Sequence, residues 1–365
     1  MIKKGYADLP LHPGKCPAWL FGRMKKLSGV VSELIIDEYG VREFLERVSN
    51  PYFFQSLGCV IGFDWHSSGL TVTTTAALKE SLNEKNIGVN VAGGKGKTSR
   101  KAPEEIRGFG KKFGLSTEKI DKMVYNSRMS AKVDNSLVQD NYNLYHHTFF
   151  LSEKGKWAVV QQGMNNENSY ARRYHWLSSN FKDFVEEPHN AICSEKKHDK
   201  VLNMTAKGSK EARKISIDVV NDGIFERFFR NTRQKTLTEF YSEFKHFKMP
   251  ERHYIRFQKE INIKMLRIAR DYQPKTYEEL IAIRGVGSKS IRSLALISEL
   301  VYGKRASWKD PVKYSFAHGG KDGIPYPVNR EVYDSSVNFL REAIKQAKIG
   351  EKDKIYALRR LRGIY

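Results

Sequence analysis

The sequence predicts an α+β or α/β protein, with an N-terminal mixed-sheet domain that also carries helices and a mostly helical C-terminal domain. Three observations lead to this fold class. An apolar run from Gln55 to Phe63 has the length and composition of a buried strand. Two strand-like runs, Leu144 to Leu151 and Lys156 to Gln162, are joined by four residues ending in glycine, which is typical of a β-hairpin. From about residue 213 onward the spacing of apolar residues is helical.

The elements before the hairpin are mainly helical by the same criterion. Trp19 to Tyr39 has helical spacing, Gly40 interrupts it, and Val41 to Val48 is a second short helix. A further helix is expected from Ala76 to Glu84, and residues 102–132 look helical and basic. The length of 365 residues suggests two domains. We place an α/β domain with a candidate catalytic role at 1–185, a basic linker at 186–212 and a helical DNA-binding domain at 213–365.

Composition narrows the choice of partner. The chain has 63 Lys and Arg against 41 Asp and Glu, a formal charge of +22, which favours a polyanion such as nucleic acid. No stretch approaches the ~20 apolar residues that span a bilayer, so no membrane partner is expected and the predicted location is cytoplasmic. The 3 cysteines are scattered without metal-ligand spacing and indicate neither a disulfide framework nor a zinc ribbon. The oligomeric state stays open, with a homodimer as one possibility.

The most specific signal is a glycine-containing turn between two helical segments near the C-terminus. The pattern over about 276–302 resembles a helix-hairpin-helix motif, which holds the DNA backbone without reading its sequence. Glycines permit a tight turn with positive φ and a close approach of a phosphate, and the following helix begins with free N–H groups and a positive dipole end. The residues expected to contact DNA here are Gly285, Gly287, Lys289, Ser290 and Arg292.

Unusual polar residues are concentrated in the N-terminal half. Asp64 and His66 follow the apolar run predicted as a strand, and ends of strands are where α/β proteins place their chemistry. With Asp134 and Asp140 they form a candidate Mg²⁺ or Mn²⁺ site, since these cations prefer oxygen ligands and sometimes accept histidine. The same four residues, together with His147, are the candidate catalytic set.

An arginine pair on the segment after the hairpin is a second candidate DNA contact. Arg172 and Arg173 precede aromatic residues, and such a combination favours contact with phosphates and bases. The order of acidic residue, strand and strand ending in an amide pair loosely resembles the core of restriction-endonuclease-like nucleases. Here the segment Gln161 to Met164 lacks the lysine that this core expects.

An alternative enzymatic function is indicated by two residues of the C-terminal half. Lys289 follows the glycines of the turn, and Asp310 lies 21 residues further on. This arrangement resembles the helix-hairpin-helix DNA glycosylases. That resemblance implies a lysine that attacks the sugar through a Schiff base and an aspartate that assists it. Asp310 precedes a proline here, where these enzymes continue differently.

Over most of its length the chain resembles an uncharacterised archaeal and bacterial family, a domain of unknown function. The stretches that carry the resemblance are 5–12, 62–69, 160–164, 171–176 and 316–323. The resemblance implies no particular chemistry, so the functional expectation depends on the residues above.

The leading expectation is a metal-dependent deoxyribonuclease of DNA repair or recombination that holds the backbone at the C-terminal turn and cuts it with the N-terminal polar residues. The alternatives are a DNA glycosylase or abasic-site lyase using Lys289, and a DNA-binding protein without enzymatic activity.

Overall fold

The computed structural model describes residues 14–63, 67–194, 197–226, 263–312, 330–347 and 350–362. It confirms an α+β fold with a five-stranded sheet in the N-terminal half and helices after it. Every strand pair of this sheet is antiparallel, so the sheet is not the mixed one that the sequence predicted. None of the helices in the described part of the chain is long and apolar enough to cross a membrane.

Three helices precede the sheet: α1 (Ala18–Ser49), α2 (Pro51–Val60) and α3 (Gly69–Lys85). The break expected at Gly40 is present inside α1, where φ is 83° and ψ is 164°. An L-residue with a side chain rarely adopts that backbone conformation, so glycine separates two helical stretches here.

The strand expected from Gln55 to Phe63 is wrong, because most of this run belongs to α2. Asn50 caps the helix by accepting from the backbone N–H groups of Tyr52 and Phe53 at 2.9 and 3.2 Å, and Pro51 occupies the first turn. Nearly all of α2 is buried, so it has no polar face to produce a helical period in the sequence. A short apolar run of this kind does not distinguish a buried helix from a strand.

The central sheet has the strand order β1-β3-β4-β5-β6, with helices on both faces. Its strands are β1 (Val89–Lys95), β3 (Asn143–Ser152), β4 (Trp157–Asn165), β5 (Tyr170–Leu177) and β6 (Ala191–Cys193). The predicted hairpin is confirmed as β3 and β4. Between β1 and β3 the chain forms α4 (Ala102–Lys112) and α5 (Thr117–Ser136), in agreement with the helical pattern over 102–132.

The segment 186–212, which we expected to be a basic linker, is built into the fold. It contributes β6 to the sheet, and its strand β7 (Leu202–Asn203) pairs with β2 (Val138–Gln139). Ile192, Cys193 and Leu202 are buried. We predicted a linker from the lysine-rich composition, because strands of two or three residues are too short to change the composition of the segment.

The C-terminal half supplies α6 (Lys210–Asn221), α7 (Ile263–Tyr272), α8 (Tyr277–Ala282), α9 (Ser288–Tyr302), α10 (Arg330–Gln346) and α11 (Glu351–Arg362). Thr276 caps α8 by accepting from the N–H of Glu279 at 3.1 Å, and the Glu279 carboxylate accepts from the N–H of Lys275 at 2.7 Å. One hydrophobic core joins α6 to α9 with α4, α5 and one sheet face, so it runs across the domain boundary predicted from the sequence. A second core packs α1 to α3, α10 and α11 on the opposite face.

Candidate functional site

A band of polar side chains crosses the central sheet at one level. His147 on β3 is paired with Gln161 on β4, which is paired with Tyr174 on β5. Their neighbours in the chain lie on the opposite face, because successive side chains of a strand alternate between faces. Those neighbours are His146, Gln162 and Arg173. All six are buried, so each face of the sheet carries a polar layer inside a mainly apolar core.

Asp134 is the centre of the layer on the face covered by α5. It is fully buried near the end of that helix. One carboxylate oxygen accepts from the Gln161 amide and, at 3.1 Å, from the Trp176 indole N–H, and the other is bonded to His189 Nε2. An ionised carboxylate only accepts hydrogen bonds, so His189 must donate from Nε2 in this arrangement.

A chain of hydrogen bonds runs from Asp134 through Gln161 and His147 to Ser127, which also lies on α5. The Gln161 amide group donates to Asp134 and to the carbonyl of Ser130 at 3.1 Å, so its oxygen is left to accept from His147 Nδ1 at 2.7 Å. His147 Nε2 then accepts from the Ser127 hydroxyl at 2.8 Å. Burial lowers the pKa of His147 from its ordinary value, partly offset by Gln161 and Asp134, which favours the neutral imidazole that this chain needs.

His189 is one of the residues that line a small cavity beside this network. The cavity has a volume of about 80 Å³. Its other lining residues are Glu187, Ile192, Asn203, Thr205, Ala206 and Pro311. The Trp176 ring centroid lies 4.6 Å from that of His189 and restricts the imidazole plane. The hydrogen bond described for the His189 ring is the one between Nε2 and Asp134, and the residue as a whole lines the cavity.

Arg172 organises a buried ionic cluster further along the same face. It donates to Asp140 at 2.7 Å and, through two nitrogens, to Asp310 at 3.0 and 2.8 Å. The Tyr174 hydroxyl also donates to Asp140, at 2.9 Å. Although burial alone would lower the pKa of Arg172, the two carboxylates raise it above its ordinary value. The Arg172 guanidinium therefore stays charged, whereas burial raises the pKa of Asp140 against the opposing effect of Arg172. The cluster joins the sheet to the segment that follows α9.

The opposite face has its own buried network. Thr75 on α3 is bonded to His146 Nε2 at 2.9 Å, and Arg173 donates to Gln55 on α2 at 2.9 Å and to His175 Nε2 at 2.9 Å. Burial, with smaller contributions from His147 and Lys95, lowers the pKa of His146 to about 3. These contacts join α2 and α3 to the sheet.

The turn between α8 and α9 is on the surface. Gly285 has φ 93° and is exposed, whereas Gly287 has φ −126°, so only one of the two glycines needs the left-handed region. Arg284 and Lys289 are exposed, and Ser288 and Arg292 are partly exposed. Gly287 immediately precedes α9 and has no side chain, so the first N–H groups of this 15-residue helix receive no side-chain cap from it.

Side chains of the N-terminal half support this turn. Gln139 on β2 accepts from Arg292 Nε at 2.6 Å and donates to the carbonyl of Ser288 at 2.8 Å. Lys132 on α5 donates to the carbonyl of Ile283 at 3.4 Å, and burial lowers the pKa of its ammonium group. The turn is therefore held against α5 and β2 with cationic groups close to it.

The two described members of the predicted metal site, Asp134 and Asp140, do not form a metal-binding group. Asp134 and Asp140 belong to different hydrogen-bond clusters, and each already accepts from several protein donors. No group of three or more His, Cys, Asp or Glu side chains that could hold a metal occurs within the described ranges. Asp64 and His66 lie outside the described residues. The expectation that they follow a strand loses its basis, because α2 precedes them.

Arg172 and Arg173, which we predicted to contact DNA, are fully buried. Arg172 is ion-paired with Asp140 and Arg173 is hydrogen-bonded to Gln55, so neither side chain is on the surface where it could contact a phosphate. Ser290 is also buried. His147 lies in the network but not at the cavity. His189 was missed because it lies in the segment interpreted as a linker. The apolar run Ala191–Cys193 just after it was the one signal of a buried strand there.

The chain belongs to the DUF763 family, described as a protein of unknown function, whose sequence profile matches residues 5–328. This confirms the family resemblance found in the sequence. A comparison with curated proteins found no match. A comparison with solved structures also found none.

Proposed function

We propose that the protein binds DNA through its sugar-phosphate backbone, with the turn 283–289 and the first turn of α9 as the principal contact. The observation that carries the proposal is the exposed Gly285 turn that leads into an uncapped helix N-terminus beside exposed Arg284 and Lys289. Free N–H groups at a positive helix end bind anions, and flanking cations add to the attraction. We interpret residues 276–302 as a helix-hairpin-helix motif on this basis.

The overall charge supports a polyanionic ligand. The formal charge of +22 lowers the cost of bringing a phosphate chain to the surface and raises the rate of encounter. Contacts of this kind carry no base information, so the proposed binding is independent of sequence.

The test is fluorescence anisotropy with labelled duplex and single-strand DNA over a series of salt concentrations. Binding through phosphates releases counterions, so the logarithm of the association constant should fall linearly with the logarithm of salt concentration. Affinity that does not change with salt, or that depends strongly on base sequence, would contradict a backbone contact.

Cleavage of the bound backbone is the second function that we propose, because the His189–Asp134 pair at a cavity is an arrangement suited to proton transfer. The metal-dependent form of this activity stays a prediction. It depends on Asp64 and His66, and it requires Asp134 and Asp140 to exchange protein donors for Mg²⁺ or Mn²⁺. Comparing cleavage with Mn²⁺ and with EDTA tests it.

The glycosylase or lyase alternative has less support. Lys289 is exposed, but Asp310 is buried and held by Arg172 and by the backbone N–H of His198 at 2.8 Å. Assistance from Asp310 would require breaking these bonds. Borohydride trapping on abasic DNA, with Lys289→Gln as the comparison, decides this alternative.

A further inference from the structure

We propose that the segment 95–101 is a second contact for the DNA backbone, joined to the turn 283–289 by cationic side chains of α5. This segment, which we call the basic loop, follows β1 at the edge of the sheet and contains four cationic residues and no carboxylate. The inference rests on the DNA binding proposed for the turn, and it adds a site in the N-terminal half of the chain. The four residues, all exposed, are Lys95, Lys97, Arg100 and Lys101.

The positive charges of the basic loop are not neutralised by carboxylates in the described part of the chain. None of the four cations is in a salt bridge with a described residue. Glu105 on α4 is already engaged, because it accepts from Lys79 Nζ at 2.8 Å and from the backbone N–H of Gly93 at 2.7 Å. Exposed cations that lack a protein partner attract anions to the surface.

The backbone of the basic loop has a defined structure. Just before it, β1 approaches β3 so closely that a Cβ on Gly93 would lie 2.2 Å from the carbonyl oxygen of His147. The chain then forms a 3-10 helix, Gly96–Lys101, in which the Ser99 hydroxyl donates to the carbonyl of Gly96 at 2.6 Å. Cations on a fixed backbone lose less conformational freedom when they bind a ligand, so this geometry favours binding.

The start of the basic loop lies beside the middle of α5. His147 on β3 is paired with Gly94, which directly precedes the loop. The same histidine accepts from Ser127 on α5 at 2.8 Å. The next residue of α5, Arg128, is exposed and has no described carboxylate as a partner. Arg128 therefore adds an exposed cation close to the loop.

The end of the basic loop lies beside the same part of α5. The helices α4 and α5 are joined by the four residues 113–116 and form an antiparallel pair, in which Arg107 donates to Asp121 at 2.5 Å. Six residues before Arg107 is Lys101, the last residue of the loop, and six residues after Asp121 is Ser127. Both ends of the loop are therefore close to the helical turn that carries Arg128.

Lys132 continues the cationic surface of α5 to the turn 283–289. It follows Arg128 by four residues, which is about 6 Å along a helix axis. It is partly exposed and donates to the carbonyl of Ile283 at 3.4 Å, and the next residue, Arg284, is exposed, as is Lys289. The basic loop, α5 and the turn thus form a cationic track. A polynucleotide is a linear array of charges, so it fits such a track better than a single small anion does.

Cations predominate along the whole track. Four of them are in the basic loop, two are on α5 and two are at the turn. Two carboxylates border the track: Glu104 follows the loop on α4, and Glu278 accepts from the Tyr125 hydroxyl at 2.8 Å. Binding at one contact raises the local concentration of phosphates at the other. DNA that reaches both contacts should therefore bind more tightly than DNA that covers only one.

The test compares two triple variants of the full-length protein. The loop variant removes three cations of the basic loop: Lys97→Gln, Arg100→Gln and Lys101→Gln. The control variant removes three exposed lysines at the opposite end of the α4–α5 pair: Lys111→Gln, Lys112→Gln and Lys119→Gln. Both variants lose three charges, so a difference between them depends on position and not on net charge. Thermal unfolding checks that both remain folded.

Fluorescence anisotropy with duplexes of increasing length measures the contribution of the basic loop. The loop variant should lose affinity at least about tenfold, and its log–log salt slope should become less steep by about two to three units, since each phosphate contact contributes about 0.9. The control variant should change the slope by less than about one unit. Wild-type affinity should rise as the duplex becomes long enough to reach both contacts, and the loop variant should lack this rise.

Lysine footprinting locates the bound DNA without relying on affinity. The protein is treated with an acetylating reagent with and without DNA, and mass spectrometry measures the modification of each lysine. DNA should protect Lys97 and Lys101 and leave Lys111 and Lys112 as reactive as in the free protein. Equal modification of Lys97 and Lys101 with and without bound DNA would overturn the inference.

The outcomes separate this inference from the proposed function. Equal salt slopes and affinities in the loop and control variants would overturn the second contact, whereas a loss of binding in Gly287→Asp would still support the turn. Loss of binding in the loop variant but not in Gly287→Asp would support the loop and refute the turn as the principal contact. Absence of DNA binding by the wild-type protein would refute both.

Discussion

Arg172 donates two hydrogen bonds to the carboxylate of Asp310, at 3.0 and 2.8 Å, across 138 positions of the chain. Both side chains are fully buried. The pair joins β5 of the sheet to the segment after α9, so the helical half is attached to the sheet by a charged contact as well as by a shared core. This position gives Asp310 a structural role that its sequence context did not indicate.

Replacing Asp310 by Asn should destabilise the protein by about 1.5–3 kcal/mol, the range for hydrogen bonds to charged groups, since Asp140 still balances Arg172. Arg172→Met should cost more, about 3–5 kcal/mol, because two buried carboxylates lose their cation. Urea unfolding measures both changes. Asp271→Asn, in an exposed ion pair with Arg270, is the control and should leave the unfolding midpoint unchanged. A similarly small effect for Arg172→Met would contradict the assigned role.

Gly287→Asp should weaken DNA binding by about tenfold or more without destabilising the fold. The backbone at Gly287 is extended, nothing lies within 4 Å of an added Cβ, and Asp is a favoured helix cap. The new carboxylate would occupy the N–H groups that we assign to a phosphate and repel it. Anisotropy and thermal unfolding measure the two quantities separately.

Gly285→Ala tests the other glycine of the turn and should differ from Gly287→Asp in its effect on stability. Its φ is 93°, and an added Cβ would lie 2.4 Å from Met265 Sδ, so the expected change is a loss of stability of about 1–2 kcal/mol. Unchanged DNA affinity in a folded Gly287→Asp protein would refute the assignment of the helix N-terminus.

Lys289→Glu should reduce DNA affinity and make its dependence on salt less steep by about one unit in the log–log slope, as expected when one phosphate contact is lost. Lys26→Glu makes the same change of charge at an exposed position of α1, a helix on the other face of the sheet. It should lower affinity less and leave the slope nearly unchanged. Equal effects from the two variants would indicate a response to net charge alone.

The protein should lose stability as pH falls from about 6.5 to about 3, in part through His146. In the unfolded chain this histidine takes up a proton near its ordinary pKa of 6.5, whereas burial lowers its pKa to about 3 in the fold. The unfolded state therefore binds more protons over this range, and unfolding becomes easier by about 1.4 kcal/mol per pH unit for such a group.

His146→Gln should flatten the decrease in unfolding free energy that is measured across this pH range. His198→Gln should change it less, because His198 is only partly buried. An unaltered pH dependence in His146→Gln would show that His146 does not remain neutral in the fold.

The residues that the sequence singled out as chemically unusual are mostly at the polar band or at the turn, yet their roles changed in the structure. Asp134 and His147, selected from the sequence as catalytic candidates, both bond Gln161 in one buried network. Arg172 and Arg173, expected on the surface, are buried beside partners distant in the chain. Apart from the short apolar run that follows it, His189 had no local signal in the sequence, because its hydrogen-bond partner Asp134 lies 55 positions away.

The sequence by itself determined the break at Gly40, the β3–β4 hairpin, the α8–turn–α9 unit and the excess of positive charge. These features follow from local backbone preferences, short-range periodicity and composition. Only the tertiary structure decided that the buried run after Asn50 is a helix and that 186–212 completes the sheet. It also decided that two carboxylates enclose Arg172. A buried polar group must find its partners wherever the fold brings them, so their identity depends on contacts between distant parts of the chain.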